Sequence, residues 1–490
     1  MIRRISFLFI GLAFVSHAFA REEYTRAFDK TLALRSGQRI SLEHKLGDIV
    51  IRTHPQQEVV IHADIRVSAS GTNQAKQFAD RLEILIEPSA SELSIRTRYP
   101  ATPSSFFGRN VSYSVRYEIT IPETAPLQVR NSFGAVSITG VKANSDITTS
   151  HGALEFHDGR GAQRLEDSFA SIKVANNVGD VTVQASNGSV DVSDIAGAVS
   201  VRDRFASVTA ARVSKGLTVT NSNGAVQVTD SGGTGKIRNS FGGVTVRSFH
   251  GDLIVNNANG KVEATNVQGP AELNTSFGGV GFSDIGGQLS IRTSNSSVNG
   301  EKVGGPVTIQ TSFGSVTASD IQRGVRIQSN NGNISIAKTR GECNAKTSFG
   351  TVQATDIGGH LVVENSNGAV KASNTQGAHV ITSFGPVILD RISGPIQVEN
   401  QNGAVEATSS AHGGCQPIII HTSFSTLRVR LNAGASYRVA ARTSFGKIRT
   451  DFPLNVSRSI SSDELNGTIG GGHCELRLTD TNGAIEILKP

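Results

Sequence analysis

The sequence predicts an all-β fold, a right-handed parallel β-solenoid (β-helix) built from rungs of about 18 residues with irregular ends. Three observations predict it. The phrase Ser-Phe-Gly-x-Val, strict or relaxed, places phenylalanines at Phe133, Phe169, Phe205, Phe241, Phe277, Phe313 and Phe349, each step being 36 residues. A sister phrase, Asn-Gly-x-Val, falls halfway between, with glycines at Gly188, Gly224, Gly260, Gly332 and Gly368, so the unit is 18 residues in two alternating flavours. The composition agrees: 52 glycines with abundant Val, Ser, Thr and Asn, no Trp and a single Met suit short strands between tight turns. A β-propeller has a period near the longer repeat, but its blades need about 40 residues in four strands. The shorter sub-period favours stacked coils.

Counting each rung from Asn131 as position one, the sixth position is apolar, as in Val190, Val208, Val226, Val244, Val262, Val280, Val298 and Val316. The eighth is apolar and often small (Val192, Ala264, Phe282, Ala318), and the eleventh is frequently Ile (Ile195, Ile285, Ile321, Ile357). Positions fifteen and seventeen alternate again, as Leu289 with Ile291 and Val325 with Ile327. Spacing by two marks a strand with one buried face. Glycine near position thirteen (Gly197, Gly287, Gly359) punctuates the corner, so each unit reads strand, turn, strand, turn. One such unit buries too few apolar side chains to offset the ordering of its own backbone, and must stack on its neighbours. Register holds to Glu364; the unit starting at Asn365 is one residue short, and that starting at Asn400 gains four.

The flanks set the domain organisation. Residues 1–20 read as a signal peptide: Arg3 and Arg4, an apolar run over 5–15, and the small-x-small site Ala18-Phe19-Ala20. Residues 21–130 form a β-rich capping region, with strands expected over 59–67, 82–86, 93–98 and 111–121 and a short helix over 72–81. A loop over 100–108 carries Phe106 and Phe107, which are expected to cover the open end of the stack. Residues 131–421 are the regular solenoid, and 422–490 are irregular C-terminal rungs and cap.

Charge and cysteine usage bound the function. Net charge is +6, falling to +4 without Arg3 and Arg4, and no basic run offers a nucleic-acid site. The second apolar stretch that a transmembrane anchor needs is lacking. Cys343, Cys415 and Cys474 are an odd set; the expectation is three small buried side chains, with a Cys415–Cys474 pair as the alternative.

Two columns carry the functional question. Position three alternates Phe and Asn: Phe241, Asn259, Phe277, Asn295, Phe313, Asn331, Phe349. The expectation is a Phe buried at the corner over small residues of adjacent rungs. The alternative is an exposed interaction stripe of Phe241, Phe277, Phe313 and Phe349. Position ten alternates in charge through Asp284, Lys302, Asp320, Lys338 and Asp356, which reads as a structural charge ladder that favours register. A calcium column is disfavoured, because acids two rungs apart lie about 9.6 Å from each other. Histidines are scattered; His412, Cys415 and His421 fall together in the irregular coil, where an incidental cysteine is expected rather than a metal ligand set. No nucleophile, P-loop or zinc-protease motif is present, so no catalytic residue, cofactor or metal is assigned.

The opening Gly47-Asp48-Ile49-Val50-Ile51, the reiterated Ser-Phe-Gly-x-Val and Asn-Gly-x-Val phrases and the closing Asn482-Gly483-Ala484-Ile485-Glu486-Ile487 resemble the bacterial putative-adhesin β-solenoid family, a secreted domain of unknown function. The resemblance spans most of the chain beyond the signal peptide and implies an exported bacterial solenoid without known catalytic residues. The sequence thus leads to a non-enzymatic, exported protein of the periplasm, cell surface or exterior. It is expected to be adhesin-like or an envelope scaffold, binding a polysaccharide or other cell-surface component. The alternative is a carbohydrate-active β-helix lyase or hydrolase with an unrecognised cleft.

Overall fold

The computed structural model describes residues 21–100, 111–410 and 415–490. The signal peptide expected over 1–20, the Phe106–Phe107 pair and His412 lie outside the described residues. The chain forms two compact units, residues up to 160 and residues 161–490.

In the first unit, strands Arg39–Leu46 and Ile49–His54 make one rung, and Leu127–Phe133 with Val136–Thr139 make the next. They pair in parallel, Ile40 beside Leu127 and Ile49 beside Val136. Ser145–Thr149 and Leu154–Arg160 continue the stack. On the other side of Arg39–His54 lie Glu92–Arg98 and Ser112–Pro122, both parallel to it. The parallel order then ends. Glu58–Ala69 runs antiparallel on Ser112–Pro122, Glu22–Ala33 on Glu58–Ala69, and Glu83–Pro88 on Glu92–Arg98. Helix Thr72–Asp80 buries Ala75 and Ala79, and the Arg26 guanidinium donates to the Ala79 and Leu82 carbonyls at its C-terminus, at 3.0 and 2.6 Å. The strands and helix expected from sequence in this region are all present, to within a residue or two at each end.

The second unit is the regular solenoid. Its partners follow in order, such as Leu289 beside Val307, Val307 beside Val325 and Val325 beside Cys343. The short rung appears as Leu361 beside Ala378, and the long one as Ile396 beside Ile418. Positions six, eight, eleven, fifteen and seventeen face inward, with Val190, Val208, Val226, Val307 and Ile309 each at most 1% exposed. Where a rung carries a large core residue its neighbour gives way: a Cβ on Gly300 would lie 2.4 Å from the Phe282 ring, and one on Gly235 would lie 2.6 Å from the Phe249 ring.

Position ten proves to be a backbone corner. From Asn176 to Arg391 the residue at position ten of every rung is left-handed, with φ between 48° and 59°. One left-handed residue resets the alternation, so positions eight and eleven both point inward across it. Asp and Asn tolerate this conformation, whereas Arg212, Lys302, Lys338 and Arg391 pay about 1–2 kcal/mol each for it.

At the C-terminus the rungs do not stack in chain order. The last two strands, Cys474–Asp480 and Ile485–Leu488, insert between the rung of Ile418–His421 and Leu427–Arg430 and that of Tyr437–Thr443 and Ile448–Thr450. Glu464–Ile469 and Asn455–Ile460 then close the stack antiparallel. The insertion restores two patterns that chain order breaks. Phe424, Asn482 and Phe445 become consecutive, keeping the Phe–Asn alternation. Glu406, Arg428, Glu486 and Arg449 likewise become consecutive at position seven, with Arg428 2.9 Å from Glu406 and 2.6 Å from Glu486. Stacked in chain order, Arg428 and Arg449 would be neighbours, a destabilising arrangement.

The inserted rung is stapled. Cys415 and Cys474 form a disulfide with Cα atoms 5.8 Å apart, which corrects the expectation of three free buried thiols. Closing a loop over a sequence separation of 59 removes unfolded-state entropy worth roughly 4 kcal/mol. Cys343 is buried in the core, which pushes its thiol up to about 12.

Rungs approach closely at position four. There Gly350 has φ 135°, and a Cβ on it would lie 2.3 Å from the Gly332 carbonyl oxygen. Gly350→Ala should therefore cost on the order of 1–3 kcal/mol, read as a lower midpoint of chemical unfolding. Gly434→Ala, where a Cβ would meet nothing within 4 Å, should leave the midpoint in place.

Candidate functional site

The same close approach decides where position three points. At each turn the position-one side chain fills the inside: Asn239 Nδ2 donates to the Gly224 and Gly242 carbonyls, both at 3.1 Å. Thr275, Thr311 and Thr347 hydroxyls donate to the carbonyls of Phe277, Phe313 and Phe349 at 3.1, 3.2 and 3.3 Å. With the inside occupied, the phenylalanine side chain turns to solvent. Phe241, Phe277, Phe313 and Phe349 are 53–56% exposed, so the expectation of a buried corner phenylalanine is corrected. Phe169, Phe205, Phe384 and Phe424 are likewise 52–61% exposed.

These side chains lie in one register column of the second unit. Phe241 pairs with Asn259, Asn259 with Phe277, Phe277 with Asn295, Asn295 with Phe313, and so on to Phe384 and Asn402. Phenylalanines therefore recur every second rung, about 9.6 Å apart. Several intervening asparagines are tied down: Asn187, Asn223 and Asn259 donate through Nδ2 to the carbonyls of Ser168, Arg204 and Ser240, at 2.9, 3.2 and 3.3 Å. Positions two to five of the rungs from residue 168 to 404 include two charged residues, Arg204 and Lys261, in a chain with 47 basic and 41 acidic ones. The result is a ribbon of Phe, Asn, Ser and Gly almost free of charge.

Beside the ribbon the surface is concave. One depression of about 560 Å3 is lined by Arg238, Asn256, Asn274 and Arg292 of position eighteen and by Ser276 and Ser294 of position two. A second, of about 390 Å3, is lined further along by Gln184, Ser186, Thr220 and Ser222 together with Glu166, Asp167, Arg202, Asp203 and Arg204. The periodic backbone thus lays down depressions of hydroxyls and amides, with charged side chains among them, beside the phenylalanine column.

Position ten lies on another face. Arg212 grips Asp194 through two bonds of 2.5 and 2.8 Å, and this holds the Asp194 carboxyl below its usual range. Lys302 sits 3.9 Å from Asp284, and Asn374 donates to Asp356 at 2.7 Å. Among the described residues no ion pair within 4.0 Å joins Lys338 to Asp320 or Asp356. Exposed pairs of this kind contribute at most about 1 kcal/mol each.

The acids with raised pKa are structural in position. Asp203 and Asp480 occupy position one, where burial pushes both carboxyls up. Asp203 accepts from the Ala206 N–H at 2.9 Å, and Asp480 from the Asn482 N–H at 3.2 Å. Cys415 is committed to the disulfide, so it is not a thiol partner for His421. Among the described residues no group of three or more His, Cys, Asp and Glu is placed to hold a metal, and no helix is long and apolar enough to cross a membrane.

No protein-family model matches this chain, and no curated protein matches it. A solved structure from Clostridium sporogenes, named "putative cell adhesion protein", aligns at 12% identity and TM-score 0.23, over 37% of this chain and all of that one. A match that distant carries no argument about fold or function.

Asp203 supplies a test of how position one is occupied. Its folded pKa is raised, so its favourable contribution is complete below the unfolded value of about 3.9 and is lost as pH rises through the folded value. Asp203→Asn, which places there the residue found at Asn221 and Asn239, should raise the thermal midpoint at neutral pH. That gain should shrink towards zero in acid.

Proposed function

We propose that this chain is an exported, non-enzymatic β-solenoid, adhesin-like or an envelope scaffold, that binds a surface or a repetitive polymer along its Phe–Asn ribbon. The observation that carries the reading is the exposed phenylalanine column. Exposed large apolar side chains set in one repeating column, rather than scattered singly over the surface, mark an interaction site. Here it is regular, nearly uncharged and repeated over many rungs, which suits a partner that is itself repetitive.

Two further features support the reading. The Cys415–Cys474 disulfide suits an oxidising compartment outside the cytoplasm, in keeping with the leader-like composition of residues 1–20. The three carboxylates with shifted pKa in the second unit are engaged structurally: Asp194 is paired with Arg212, while Asp203 and Asp480 take backbone N–H groups beneath the ribbon. A lyase or hydrolase would instead need carboxyls about 5–9.5 Å apart flanking a bound sugar.

The test uses the purified chain and a variant carrying Phe277→Ser, Phe313→Ser and Phe349→Ser. The wild type should be retained on bacterial envelope fragments or insoluble polysaccharide, and the variant should lose roughly tenfold or more in retention at an unchanged unfolding midpoint. Equal retention of the two proteins, or none by the wild type, would overturn the reading. Release of soluble sugar by the wild type would favour the enzyme.

A further inference from the structure

We propose that the ligand of the ribbon is a neutral, extended, β-linked glycan lying along the column of position three, its polar edge in the adjoining groove. This inference rests on the binding reading above and names its substrate class. Three observations carry it.

The first is the period. Phenylalanines recur every second rung, with asparagine between them. A pyranose of an extended β-linked chain spans close to one strand spacing of about 4.8 Å. In such a chain successive sugars are turned over, so alternate sugars present the same face to one side. A ring on every second rung therefore meets the same apolar sugar face each time, and the asparagine between lies under the opposite face of the inverted sugar, beside the hydroxyls at its rim.

The second is the chemistry of the groove. Asn256 and Asn274 on one side and Ser276 and Ser294 on the other supply donors and acceptors within one open depression. Amides and hydroxyls suit sugar hydroxyls, while the Phe277 ring is 53% exposed at the ribbon's edge. Aromatic area with a few placed polar groups is the usual lining of a small-molecule site, here opened into a track.

The third is charge. The ribbon has two charged residues over positions two to five from 168 to 404, and in the groove Arg292 is paired with Glu272 at 2.9 Å while Arg238 lines the same depression. An acidic polymer would find scattered arginines interleaved with asparagines rather than a continuous basic ladder, which favours a neutral partner.

The probes are soluble cello-oligosaccharides and chito-oligosaccharides of increasing length, titrated into the full-length protein by calorimetry. Affinity should rise with length as successive Phe contacts engage, and the triple Phe→Ser variant should lose roughly tenfold or more. A second variant, Phe313→Asn with Asn331→Phe, keeps composition and exposed aromatic area but breaks the two-rung spacing. It should weaken binding of the longer oligosaccharides and retention on envelope fragments in parallel, and full affinity for the longer oligosaccharides in this variant would overturn the match of period. Envelope retention that depends on the phenylalanines, with no binding of any oligosaccharide, would overturn this inference and leave the binding reading standing. Self-association that the triple variant abolishes, again without oligosaccharide binding, would overturn it in favour of an interface between copies. A wild-type protein that shows neither envelope retention nor oligosaccharide binding would sink the two together.

Discussion

The solenoid depends on the approach of one backbone to the next at position four. A side-chain carbon there would collide with a carbonyl of the preceding rung, at 2.2 Å for Gly314 against Ser296 and for Gly332 against Gly314. The glycine thus lets the ladder close through the turn instead of stopping at the strand ends. Ladder continuity and the buried Asn and Thr turn bonds go with this contact. The outward phenylalanine does not need the glycine, since Phe169 and Phe205, followed by Ala170 and Ala206, are 56% and 61% exposed. Where the glycine is replaced by Ala170 or Ala206, position one changes too: Asp167 and Asp203 accept the N–H groups of those alanines at 2.6 and 2.9 Å. The two positions act as a pair.

The second corner is held differently. At position ten, non-glycine residues are forced left-handed, and Lys or Arg there lies against its own backbone preference. Their ion pairs are too exposed to offset much of that cost. The charge alternation is therefore secondary to the corner. What fixes the corner is the packing of positions eight and eleven on either side of it, such as Phe282 and Ile285, both buried.

The periodic core was legible in the sequence because burial repeats with period two inside a rung and eighteen along the chain. The rung length, the one-residue deletion after Asn365 and the insertion after Asn400 all reappear in the pairing register. The direction of the phenylalanines was not legible, because hydrophobicity alone favours burial and says nothing about which side of a turn is already filled. The thread was the residue two places earlier, an Asn or Thr that needs the inside for its own bonds. The left-handed corner hid behind charge: Asp and Asn at position ten signalled a turn, but interleaved Lys and Arg masked it. The C-terminal rearrangement was encoded more openly. Phe424 and Phe445 in succession, and Arg428 followed by Arg449, break both alternations unless Asn482 and Glu486 come between them. The Cys415–Cys474 pair marks the same insertion.

The central claim is that turn stacking fills the inside from position one and expels position three. Thiol accessibility tests it most directly, since Cys343 is buried and Cys415 and Cys474 are paired, leaving a silent background. Single cysteines would replace Phe313, Asn331, Thr311 and Ser329 in turn, and maleimide labelling of the native protein would be timed. The account predicts fast labelling at 313 and 331, and at 311 and 329 none until the chain is unfolded. Protected cysteines at 313 and 331, with reactive ones at 311 and 329, would contradict it.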